Sequence, residues 1–168
     1  MTRFDGKIII LTGAARGLGK AAAHLLAERG ATLALVDIRG DELEALATEL
    51  GGGTRAFCSD LAQVAEIRTL VGDIVAHFGG VDVLINNAAI CPRIPFEQST
   101  EEDWNRLMDV NAKSQFFLIQ AVCPLMRERG GGRIVNVISA SGQFGATANA
   151  SIYSGSKGAI VAFSKSVA

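Results

Sequence analysis

Five short runs of β-branched and aliphatic residues, separated by longer stretches of helical periodicity, constrain this chain more than any other feature. The runs cover residues 7–11, 32–36, 55–58, 81–85 and 133–138. A strand buried on both faces must be apolar at nearly every position, whereas a strand with one wet face alternates. All five runs are nearly continuous, so all five are expected to be central strands of a parallel sheet. Helices are expected at 18–29, 41–50, 63–77, 102–129 and from about 152 onward, with Gly30, Gly51 and Gly130 closing three of them. Strands alternating with helices imply an α/β fold, a doubly wound parallel sheet in three αβα layers. The stretch 102–129 is longer than one crossover needs. Its Trp104, Leu107, Met108, Phe116, Ile119 and Val122 offer more apolar surface than one sheet can cover, which points to a homo-oligomer, tetramer or dimer.

Length and composition narrow the function. With 168 residues, 49% of them hydrophobic, the chain can bury the core of one domain and not of two. The glycine triplets at 51–53 and 130–132 are turns rather than linkers. Sixteen basic and seventeen acidic residues leave a net charge of −1 with no basic stripe, which argues against nucleic acid and anionic membranes as partners. The first apolar run is far too short to span a bilayer, and charged residues precede it. Cys58, Cys91 and Cys123 are odd in number and form no CxxC pair, and neither His24 nor His77 has a partner at ligand spacing. A reduced, cytoplasmic protein without a metal is expected, and a zinc-dependent dehydrogenase is disfavoured.

Residues 12–19, TGAARGLG, follow the first strand and open the first helix. Small residues there let backbone amides approach a pyrophosphate, and the helix N-terminus favours the anion. The same glycines would also serve tight helix–strand packing. Asp37 ends the second strand about twenty residues further on, where a carboxylate can accept hydrogen bonds from ribose hydroxyls and repel a 2′-phosphate. Capping the following helix is the competing use. Arg16, inside the glycine loop, points toward a 2′-phosphate instead. The repulsion weighs more, so NAD is favoured over NADP as cofactor.

Tyr153 and Lys157 stand four apart, one turn along the same helical face. A nearby ammonium favours the phenolate, which fits a tyrosine for acid–base work near neutrality. Taken alone, such a pair is more often a half-buried tyrosine beside a solvated lysine. Ser139 lies just past the fifth strand, at the sheet edge where open α/β folds bind ligands, and its hydroxyl could hold a substrate oxygen.

Together, TGxxxGxG at 12–19, Asn86-Asn87-Ala88-Ala89, Asn111, Ser139 and Tyr153-Ser-Gly-Ser-Lys157 resemble the short-chain dehydrogenase/reductase family, along the whole chain. The spacing of Gly13 and Gly17 is similar to its ordinary oxidoreductase branch. The resemblance implies a Rossmann-type sheet, with residues 1–168 forming a single dinucleotide-binding and catalytic domain that lacks the family's last strands. It implies that Gly13, Gly17 and Gly19 cradle the pyrophosphate with the Leu18 amide. By the same resemblance Asp37 holds the adenosine ribose, Asp60 and Leu61 the adenine, and Asn87 with Ala88 the cofactor from beneath. Ser139 would fix the substrate oxygen and Tyr153 would pass the proton. Lys157 would bind the nicotinamide ribose and assist Tyr153, and Asn111 would keep a water connected to Lys157. Ala89 departs from the family, which has glycine there. The loop from Ser139 to Tyr153 is a residue longer than usual, which makes Ser141 an alternative to Ser139.

The expected function is hydride transfer between NAD(H) and a secondary alcohol or ketone. The pocket walls, 89–96 and 143–150, carry few charges and suit an uncharged substrate. A 3-oxoacyl-thioester reductase is the second enzymatic reading. A nucleotide-binding scaffold without chemistry is the third, though such a protein is expected to have lost Tyr153 or Lys157.

Overall fold

The computed structural model describes residues 3–168. Strands β1 (Ile8–Thr12), β2 (Thr32–Asp37), β3 (Arg55–Cys58), β4 (Val83–Asn86) and β5 (Arg133–Asn136) form one parallel sheet in the order β3-β2-β1-β4-β5. The α/β, doubly wound class is as expected. The strand order reverses between β1 and β4, so a crevice opens above their C-terminal ends, the place where such sheets bind ligands.

Alternation along β1 explains why its run is uninterrupted. Ile9 and Leu11 enter a core under α1 (Gly17–Glu28) and α2 (Gly40–Leu50), while Ile10 enters the opposite core, under α3 (Val64–Phe78). Both faces are dry, so neither position tolerates a polar side chain.

Two expectations are corrected in part. β3 and β5 are edge strands, with Arg55, Cys58, Arg133 and Val135 exposed; for β5 this is what a sheet without the family's last strands implies, whereas the expectation for β3 is a central strand. A four-residue apolar run carries too little pattern to distinguish an edge from a centre. The single helix expected at 102–129 is three segments: α4 (Glu101–Met108), a π-helical turn (Asp109–Lys113) and α5 (Ser114–Glu128). A capping box starts α4, Thr100 Oγ1 accepting from the Asp103 amide (3.1 Å) and Asp103 Oδ2 from the Thr100 amide (3.0 Å). Leu107, Leu118, Val122 and Met126 face the core, whereas Trp104 and Phe116 stay 51% and 40% exposed. After β5 come a short α6 (Ser141–Phe144) and α7 (Ser151–Val167). None of the described helices is long and apolar enough to cross a membrane.

Candidate active site

The β1–α1 loop is held from below by side chains rather than by its own turns. Thr12 is buried, and its Oγ1 accepts both the Asn87 amide (3.0 Å) and the Ala88 amide (3.1 Å). Asn87 Nδ2 in turn donates to the carbonyls of Thr12 and Gly13, each at 3.0 Å. Gly13 has φ +65°, and a Cβ there would lie 2.8 Å from Ala88 Cα; a Cβ on Gly19 would collide with the Gly13 carbonyl. These two glycines are therefore demanded by close approach. Arg16 precedes α1, and no side chain caps the helix, so its first amides are free for an anion.

A cleft of about 700 Å³ opens above this loop. Every position from Gly13 to Ala88 that the sequence marks for cofactor binding borders it, from Arg16, Gly17 and Leu18 to Asp60 and Asn87. Asp37 Oδ2 accepts the Ala15 amide (3.0 Å) and Oδ1 the Arg39 amide (3.1 Å). Arg39 itself precedes α2, so Asp37 braces the turn and the glycine loop rather than capping that helix. A carboxylate has about four acceptor sites, so capacity remains for ribose hydroxyls. Asp60 Oδ1 accepts the Ala62 amide (3.0 Å). Leu61 is 6% exposed and packs into the core, a wall rather than a polar partner. Ala89 is exposed on the rim, and no described residue other than glycine has positive φ, so the backbone there does not require glycine.

Ser139, Tyr153 and Lys157 do not line this cleft. Of these, Tyr153 is tied to it through Ser156 and, in the π-turn, Asn111. That buried amide accepts the Ile90 N–H at Oδ1 (2.8 Å), and its Nδ2 donates to the Ile90 carbonyl (2.9 Å) and to Ser156 Oγ (3.1 Å). Ile90 borders the cleft, and Ser156 donates to the Tyr153 carbonyl (2.7 Å) one residue before Lys157. Asn111 thus satisfies neighbouring backbone and ties the rim of the cleft to α7.

Lys157 is 2% exposed, and its Nζ donates to the Val137 carbonyl (2.8 Å) and lies 5.8 Å from the Tyr153 ring centroid. Burial pushes its pKa below the ordinary lysine value, and the nearby Cys91 sulfur opposes this. Ser139 Oγ accepts the Ser141 amide (3.2 Å) and lies 2.8 Å from Ser141 Oγ. Gly142 presses this turn onto α7, where a Cβ would sit 2.7 Å from the Lys157 carbonyl carbon.

Sequence reasoning missed Arg39, Arg106, Ser156 and the bracing role of Thr12. Arg39 stands two residues beyond Asp37 and was legible as a second cation there. Arg106 reaches the cleft from α4 through tertiary packing alone.

The family model for short chain dehydrogenase matches residues 7–168. The chain belongs to that family. Among curated members of the short chain dehydrogenase family it is 39% identical to a D-threitol dehydrogenase of Mycolicibacterium smegmatis, over 82% of this chain and 54% of that one. A 3-oxoacyl-[acyl-carrier-protein] reductase of Thermotoga maritima is 35% identical over 97% of this chain and 67% of its own. A metagenomic short-chain oxidoreductase solved in complex with NADP superposes with a TM-score of 0.93 at 30% identity, covering 98% and 76% of the two chains. The chain therefore spans about half to two thirds of the length of these curated relatives.

Proposed function

We propose that the protein carrying this chain is an oxidoreductase that moves hydride between NAD(H) and a secondary alcohol or ketone, with Tyr153 as proton donor and acceptor. The observation that carries the reading is the buried Lys157, held on one carbonyl beside Tyr153 at the ligand-binding edge of the sheet. A cation that loses its hydration for a single neutral partner is costly, and such groups cluster at functional sites.

The cleft fits a dinucleotide in size and in the glycines that let backbone approach it. Bound there, the dinucleotide supplies the hydride. The free amides at the start of α1 would hold its pyrophosphate and Asp37 a ribose, and its second ribose would have to extend beyond the cleft toward Lys157. In reduction, Tyr153 gives its phenolic proton to the substrate oxygen while Ser139 donates a hydrogen bond to the same atom; in oxidation, the tyrosinate takes the proton back. NAD is favoured because the partners of Asp37 are amides, which leaves its charge to repel a 2′-phosphate.

A polyhydroxy alcohol is the favoured substrate class. The two wall segments meet through polar contacts, the Ile94 amide on the Asn149 carbonyl (3.0 Å) and Arg93 on Thr147 Oγ1 (3.4 Å), and one relative is a D-threitol dehydrogenase. The similarity to a 3-oxoacyl reductase supports a thioester substrate as the second reading. The test is NADH absorbance in the full-length protein with polyols, simple secondary alcohols and a 3-oxoacyl thioester. Tyr153→Phe is expected to lower kcat at least about 100-fold while NADH affinity stays within about three-fold. NADH binding without turnover of any substrate would support a scaffold instead.

A further inference from the structure

We propose that Ser141 is a positioning residue that fixes the direction in which Ser139 donates its proton. A serine hydroxyl has one proton to donate and two lone pairs to accept with. One lone pair of Ser139 Oγ is taken by the Ser141 amide at 3.2 Å, since an N–H can only donate. The Ser141 hydroxyl lies 2.8 Å away, and a single proton occupies the space between the two oxygens. If Ser139 gives that proton, it has none left for a substrate. If Ser141 gives it, both lone pairs of Ser139 are filled, and the only capacity Ser139 retains is donation.

A carbonyl oxygen can only accept, so a bound ketone selects the second arrangement. The result is a chain of O–H bonds running from Ser141 through Ser139 to the substrate oxygen, each polarising the next. The turn that carries both serines is tied at two points. The Gly142 amide donates to the Ser139 carbonyl (3.0 Å), and Gly142 itself lies against the α7 backbone at Lys157 and Gly158. Ser141 thereby acquires a use distinct from that of a substitute for Ser139.

This inference rests on the reading that Ser139 holds the substrate oxygen, and the variants separate the two. In the full-length protein, steady-state kinetics would compare Ser139→Ala, Ser141→Ala, their double variant and Ser141→Thr. Ser141→Ala is expected to lower kcat about five-fold, the worth of one hydrogen bond, with KM for the dinucleotide unchanged. Ser141→Thr is expected to restore kcat, and Ser141→Ala to cost nothing further once Ser139 is alanine. A kcat at or above wild type in Ser141→Ala would overturn the inference. So would losses that add in the double variant, or a Ser141→Thr protein that melts like wild type and stays slow. Full activity of Ser139→Ala would overturn the reading of Ser139 together with it, whereas an inactive Ser139→Ala beside a fully active Ser141→Ala would overturn the inference alone.

Discussion

Replacing Gly142 by alanine tests whether the contact between α6 and α7 sets the catalytic geometry. Gly142 does not have positive φ, so its backbone accepts alanine and the objection is one of space. A Cβ would meet the Lys157 carbonyl carbon at 2.7 Å and the Gly158 nitrogen at 2.8 Å, about 0.7 Å inside the 3.4 Å at which ordinary contact begins. Both neighbours are helix backbone and cannot swing aside as a side chain would. The turn must lift instead, and it takes Ser139 with it through the Gly142 amide. Overpacking of this kind costs about 1–3 kcal/mol, and each kcal/mol lowers Tm by about 3 °C in a domain of this size. A displacement approaching 1 Å costs up to about 100-fold in rate, so kcat is expected to fall about 10- to 100-fold. NADH affinity is expected to fall less than kcat, because the glycine loop lies elsewhere and only the Lys157 backbone is pressed. Calorimetry, NADH fluorescence titration and steady-state kinetics read the three quantities. Gly155→Ala is the control: it lies on α7 with nothing within 4 Å of its Cβ, and should stabilise by about 0.5–1 kcal/mol. Wild-type kcat and Tm in Gly142→Ala would refute the reasoning.

Asp37→Ser is expected to raise the kcat/KM ratio for NADP over NAD; a preference for NADP in the unmodified protein would sink that assignment. Thr12→Val leaves the Asn87 and Ala88 amides without their acceptor, at about 1–3 kcal/mol each, so Tm and NADH affinity should both drop, while Thr12→Ser should recover them. Burial lowers the pKa of Lys157 in the folded state, so its charge is a penalty that is fully present below that depressed pKa. The penalty disappears as pH rises toward the ordinary lysine value, because the folded state releases the proton first. Urea unfolding from neutral to alkaline pH should therefore show wild type gaining stability relative to Lys157→Met, and a constant difference would contradict the sign.

The features legible in the sequence are those fixed by neighbours along the chain. Alternating dry faces wrote β1 and β2 as apolar runs, the glycine loop announced itself between β1 and α1, and Tyr153 and Lys157 share a helical face. What escaped depends on distant partners. Asn111 finds Ile90, twenty-one positions away, and Ser156, forty-five away. Edge and central strands differ only in what lies beside them, so β3 could not be told apart from β1. The break at 109–113 hides because no glycine or proline marks it, and Leu107, Leu118 and Val122 keep apolar spacing across it.

That π-turn is a slack turn wound into one continuous helix. Its hydrogen bonds reach one residue further than those of an α-helix, so its five residues carry the chain about as far round the axis as four α-helical ones. Dropping one residue from 109–113 would let the turn close as ordinary α-helix, with Leu107 and the row of Leu118, Val122 and Met126 still turned inward. The loss would fall on Asn111, whose bonds to Ile90 and Ser156 need its present place on the axis. Packing and the bridge are thus separable, and a deletion there would cost the site more than the core.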